Sequence, residues 1–66
     1  MEITLNGQAQ DVAEALTVAG LLASAGLADR RVAVEVNQQI VPRSQHGQRR
    51  LAAGDRVEIV HAIGGG

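Results

Sequence analysis

Arg56-Val57-Glu58-Ile59-Val60-His61-Ala62 is the stretch on which the fold turns. Val57 and Ile59 point one way and Glu58 and Val60 the other, the two-residue period of a strand. Its β-branched residues suit the middle of a sheet, where side chains pack against neighbours on both flanks. Placed beside a strand from the start of the chain, it would run parallel to that strand and send the chain out of one end of the sheet. Gly54-Asp55 supplies the turn that leads into it. Val60 is an apolar residue on an otherwise polar face, which makes it a candidate partner contact, with an isolated surface valine as the alternative.

Downstream come Ile63 and Gly64-Gly65-Gly66. Three glycines have no side chains to bury and little tendency to hold a helix or strand. The expectation is a slim thread over residues 62–66 ending in an α-carboxylate. With a reference pKa of about 3.3 to 3.7, that carboxylate is ionised at neutral pH. It is a poor electrophile but a competent nucleophile toward an activated phosphate. A frayed end is the alternative. Composition does not choose between them.

With 66 residues and a formal net charge of −1, the chain is expected to be one domain, residues 1–66, near the lower size limit for an unaided apolar core. The absence of cysteine excludes disulfides, thiolate zinc sites and thiol nucleophiles. No apolar run approaches membrane-spanning length, and Met1-Glu2-Ile3-Thr4 does not open a signal peptide, so the expected location is the cytoplasm with no membrane partner. Phe, Tyr and Trp are missing, which removes base-stacking rings, and there is no basic excess to track phosphates; nucleic acid is therefore not an expected partner. All six cations are arginine, so no side-chain amine exists to accept an isopeptide bond.

From the N-terminus, Glu2-Ile3-Thr4-Leu5 alternates as a half-buried strand. Asn6-Gly7 marks a two-residue hairpin turn returning over Gln8 to Val12. Leu16 to Leu27 reads as a short helix capped by Thr17, with Leu16 and Leu21 placed for a hydrophobic staple, and ended by Gly26, with Leu27 positioned to touch Leu22. Val18, Leu21, Leu22 and Ala25 form its apolar stripe. Gly20 weakens it by roughly 1 kcal/mol relative to Ala. Val32, Val34 and Val36 alternate in another strand, Asn37-Gln38-Gln39 is a turn, and Ile40-Val41 is a short strand that Pro42 confines to an edge. In the irregular stretch 43–53, Ser44 is a possible cap for one helical turn and Leu51 an anchor into the core. One helix covers one sheet face, so the class is α+β: a single mixed sheet with the helix across it.

Among candidate sites, His46 and His61 lack the cysteines or gathered carboxylates a zinc site would need and read as surface residues. Ser44 and His46 have no orienting third group. Asp55 reads as a turn residue, and neither it nor Glu58 has a nucleophile to serve. The terminal glycines do not lead into a helix, so they are no phosphate loop. Arg30, Arg31, Arg43, Arg49, Arg50 and Arg56 read as solvated surface, with a patch for an acidic partner as the minor alternative. No enzyme site, metal site or bound cofactor is expected.

Several segments, in this order and over almost the whole chain, resemble the ThiS family of ubiquitin-like sulfur carriers of thiamin biosynthesis. They are Leu5-Asn6-Gly7, Thr17-Val18 with Leu21-Leu22, Val32-Ala33-Val34-Glu35-Val36-Asn37, Ile40-Val41-Pro42-Arg43-Ser44, and Gly54 to Val60 leading to the glycines. The resemblance implies a β-grasp fold of four or five strands. It also implies that the chain is a substrate of enzymes rather than an enzyme. An adenylating partner of the ubiquitin-activating (ThiF) type would use ATP to adenylate the Gly66 carboxylate, and a persulfide donor would convert it to a thiocarboxylate. Thiazole synthase (ThiG type) would take the sulfur for thiazole phosphate. Gly64 and Gly65 would thread into the partner's active site, and Glu58, Val60 and Ala62 are the candidate docking residues. Gly64 is a departure, preceding the Gly-Gly end that the family shares. The small subunit of molybdopterin synthase, with the same fold and tail chemistry, and a β-grasp interaction module or protein modifier are the alternatives.

Overall fold

Two asparagine-led turns organise the sheet. The computed structural model describes residues 1–61; the expected tail, Ala62 to Gly66, lies outside the described residues. Strand β1 (Glu2–Leu5) returns as β2 (Gln8–Asp11) through Asn6 and Gly7, whose φ angles of 49° and 83° are the two positive values a type I′ turn needs. Strand β3 (Val32–Val36) returns as β4 (Gln39–Val41) through Asn37 and Gln38, at 53° and 70°. The second turn is thus only two residues long, and Gln39, expected in the turn, already pairs with Val36. Strand β5 (Arg56–His61) closes the sheet in the order β2-β1-β5-β3-β4. It lies parallel to β1 and antiparallel to β3, in the middle, as its β-branched composition requires. The Pro42-bounded β4 takes an edge.

The helix α1 (Val18–Ser24) begins where Thr17 Oγ1 accepts the Gly20 N–H at 3.0 Å. It ends in a Schellman arrangement: Leu27 N–H donates to Leu22 C=O, Gly26 N–H to Ala23 C=O, and Gly26 takes φ 75°. Gly20 has a packing reason as well as a propensity cost. A Cβ there would come within 2.7 Å of Leu16 Cδ1 and 3.3 Å of the capping Thr17 hydroxyl, so glycine leaves room for the residue before the cap to fold back over the helix.

Val18, Leu21 and Leu22 of α1 meet Ile3, Val34, Val36, Val41, Val57 and Ile59 of the sheet, with Leu51 from the loop before β5. This aliphatic cluster is the core; burying each Val, Leu or Ile side chain contributes about 1.5–3 kcal/mol. Leu51 is held by its backbone too, its N–H donating to Leu16 C=O.

Three expectations are corrected here. Ala25, assigned to the helix stripe, is exposed at the C-cap, because the helix has already ended and turned toward Gly26. Ser44 caps nothing: it is the middle residue of a 3-10 turn (Arg43–Gln45) that Pro42 precedes at φ −56°, and no side chain caps it. His46 is not a surface residue. It is 8% exposed, and its Nε2 donates to Val41 C=O at 3.0 Å. That bond fixes the proton on Nε2, because a carbonyl only accepts. The ring therefore ties the 3-10 segment to the edge strand from beneath, while His46 C=O takes the Ala19 N–H of the helix.

Candidate functional site

The candidate site is the distal end of β5 and the sheet face around it. β5 is held on both sides by the two turn asparagines. On one side, Asn37 Oδ1 accepts Arg56 N–H at 3.0 Å, Asn37 Nδ2 donates to Asp55 Oδ1 at 3.0 Å, and Asn37 N–H donates to Arg56 C=O at 2.8 Å. On the other, Asn6 N–H donates to Val57 C=O at 2.9 Å and Asn6 Oδ1 accepts Ile59 N–H at 2.8 Å. The β1–β5 ladder stops at Leu5↔Val57, where β1 turns away. The Asn6 side chain then stands in for the missing strand. Asp55, read as a turn residue, fills that role: its Oδ2 accepts Ala52 N–H at 2.8 Å as the chain enters β5.

Replacing Asn6 tests this anchoring. Asn6→Ala leaves the part-buried Ile59 N–H without an acceptor and puts alanine, which has no polar side chain to bond locally, at a positive φ that asparagine tolerates better. The expected loss is about 1–3 kcal/mol, read as a lower urea midpoint with unchanged m-value.

Glu58 and Val60 face away from the helix, as expected, with Val60 54% exposed. Cross-strand register places Ala33 opposite Val60, and Glu35 opposite both Glu58 and Ile40. Ile40, 68% exposed, joins Val60 as the second large apolar side chain of this face. It went unread because a two-residue apolar run beside Pro42 does not reveal which residue points outward. Glu2 and its partner Asp11 share the face, so four carboxylates stand there with Arg56 and, beside Asp11, the Met1 α-ammonium as the cations. Arg43 lies beside the cleft on the helix side, and the five strands bear no arginine other than Arg56, which leaves the outer sheet face acidic. Glu35 and Glu58 are directly opposite each other, a pairing that costs stability in an isolated sheet. Neither is in an ion pair among the described residues.

The described ion pairs both involve the α-ammonium of Met1, which donates to Val12 C=O at 2.7 Å and lies 3.2 Å from Glu14 and 3.3 Å from Asp11. Glu14 first, then Asp11, raise its pKa above the ordinary α-amine value. On the helix side, Ala19, Leu22, Ala28, Arg43, His46 and Gly47 line an open cleft of about 250 Å³. Among the described residues no group of histidines and carboxylates gathers to hold a metal ion, and no helix is long and apolar enough to cross a membrane. Gly64, Gly65, Gly66 and Ala62, named as thread, reacting group and docking residue, lie outside the described residues.

A five-stranded mixed sheet in this order, crossed on one face by a helix and with its central strand as the last described element, is a β-grasp domain of the ubiquitin-like class. The ThiS family profile matches residues 3–66, and the chain belongs to the ThiS family. It is 38% identical over all 66 residues to the sulfur carrier protein ThiS of Escherichia coli strain K12, with each chain fully covered. The crystal structure of the thiamine biosynthesis protein ThiS from Geobacter metallireducens superposes with a TM-score of 0.87 at 35% identity, again over the whole of both chains. The chain is also 42% identical over all 66 residues to a thiazole synthase of Paramagnetospirillum magneticum. It spans only about a fifth of the length of the thiazole synthases it matches.

Proposed function

We propose that this chain is a sulfur carrier of thiamin biosynthesis, a single domain over residues 1–66 that partner enzymes act upon and that has no catalysis of its own. The observation that carries the reading is a full-length likeness to a sulfur carrier, joined to a central strand that is the last described element and is followed in sequence by three glycines. An adenylating enzyme of the ubiquitin-activating type would convert the Gly66 carboxylate into an acyl-adenylate, using ATP that the enzyme binds. A persulfide would then attack the acyl carbon, AMP would leave, and reductive cleavage of the resulting acyl disulfide by a thiol would release the thiocarboxylate. Activation is required because an ionised carboxylate repels nucleophiles. Gly64 and Gly65 would thread the enzyme's channel.

Thiazole synthase is the proposed acceptor, and the occurrence of sequences like this one inside thiazole synthases supports it. Such a chain works in the cytoplasm, where ATP and persulfide donors meet. The intact mass of the protein from its native cell tests the class: a fraction heavier by one sulfur in place of one oxygen is expected, and a persistently unmodified chain in thiamin-starved cells counts against the reading.

Recognition falls to the folded body, since glycines offer no side chains to read. Glu58 and Val60, with Ile40 beside Glu35, make the acidic outer face the proposed docking surface, and Ala62 would continue it. Glu35 and Glu58, mutually repelling in the free domain, gain when a basic partner surface covers them. Val60→Asp is expected to weaken binding to the adenylating enzyme at least about tenfold, roughly 1.4 kcal/mol, with an unchanged melting temperature, because the side chain lies outside the core. Titration calorimetry reads the affinity; parental affinity would remove Val60 from the interface.

A further inference from the structure

Strand β5 outruns its neighbour on one side. Its backbone groups alternate between flanks: Arg56 C=O and the pairs Glu58–Glu35 and Val60–Ala33 serve β3, whereas Asp55 C=O, Val57 C=O and Ile59 N–H serve the β1 side. The next groups on that side are Ile59 C=O and His61 N–H. β1 has already left at Asn6, and among the described residues no group bonds either of them. His61 is exposed, and a Cβ built on Gly7, the turn residue where β1 departs, meets no atom within 4 Å. Among the described residues nothing fills the lane beside the last residues of β5, up to His61.

We propose that this lane receives an extended backbone segment of the adenylating partner, which pairs with Ile59 and His61 and so fixes the direction in which the tail leaves the domain. The proposal rests on the carrier reading. One residue of an incoming strand, running parallel to β5 as β1 does, suffices: its N–H donates to Ile59 C=O and its C=O accepts from His61 N–H. Asn6 sets the register, because its side-chain oxygen already uses Ile59 N–H and leaves only the next rung open. Main-chain pairing of this type supplies affinity without side chains, and an exposed strand edge is a ready template for it. Val60 projects from the same stretch onto the acidic face, so the lane and that face would be covered together.

The discriminating substitution is His61→Pro, compared with His61→Ala. Both lose the imidazole; only proline loses the N–H. That N–H points away from β3, so the β3–β5 ladder keeps its bonds, and the preceding Val60 is already extended as a pre-proline residue must be. His61→Pro is expected to bind the adenylating enzyme at least about tenfold more weakly than His61→Ala. In the unaltered protein, the His61 amide should exchange with solvent rapidly when free and slow by at least about tenfold on adding the enzyme, as read by NMR. The exchange measurement decides the matter even if the proline variant fails to fold. Equal binding of the two variants, or a His61 amide that stays fast in the complex, overturns the inference while the carrier reading stands. An unaltered protein that neither binds the enzyme nor supports ATP–pyrophosphate exchange overturns both.

Discussion

Deleting Gly65 and Gly66 is expected to abolish ATP–pyrophosphate exchange by the adenylating partner and to leave the thermal midpoint almost where it was. The two readouts separate because, among the described residues, the buried cluster runs from Ile3 to Ile59, upstream of the glycines. Adding one residue after Gly66 should silence exchange as completely. In-line attack on the α-phosphate requires reacting atoms about 3 to 3.5 Å apart, and a carboxylate moved one residue further on is not within that distance. Gly65→Val keeps the carboxylate in place but adds a β-branched side chain that restricts the backbone and obstructs a narrow channel, so exchange should be lost there too, with folding intact. If all three variants support exchange at the parental rate, the glycine end is not the reacting group and the carrier proposal falls.

The largest effect on stability is expected from Leu21→Ala. Leu21 is 0% exposed at the centre of the α1 stripe, and truncating a buried leucine costs about 2–5 kcal/mol through lost transfer energy and the cavity left behind. Small domains have only about 5–15 kcal/mol in total, often less at this size, so a large fall in urea midpoint or outright unfolding should follow. A midpoint equal to the parent's would mean that the helix does not pack on the sheet through this face.

Much of this architecture is visible in local pattern. The alternation of Val57 and Ile59 with Glu58 and Val60 fixes which face is inner, and Asn6-Gly7 fixes the first hairpin, because only such residues accept two positive φ angles cheaply. Thr17 and Gly26 mark the helix ends through hydrogen bonds made within a few residues. The properties that escaped the sequence depend on partners far away along the chain. Asn6 reads as a turn residue, yet its second role, holding Ile59, spans 53 positions. His46 reads as surface because polar residues surround it, and its burial arises only when the 3-10 segment folds under β4. The exposure of Ile40 and the opposition of Glu35 to Glu58 are matters of cross-strand register, which period-two patterning leaves undetermined. The fold was thus more legible than the proposed docking face, whose composition emerges only once three strands are aligned.

The clamping of β5 between the two asparagine turns has a mechanical consequence. An enzyme that drew the chain beyond His61 into a channel, as proposed above, would exert tension along the axis of the innermost strand. Hydrogen bonds to β1 and β3 run across that axis, so they meet the load together, in shear, whereas an outermost strand can be peeled one bond at a time. Asn37 secures the near end of the strand and Asn6 reinforces it three residues further on. A domain of 66 residues with no disulfide and no Phe, Tyr or Trp would on these terms take such a load across a whole strand rather than one bond at a time.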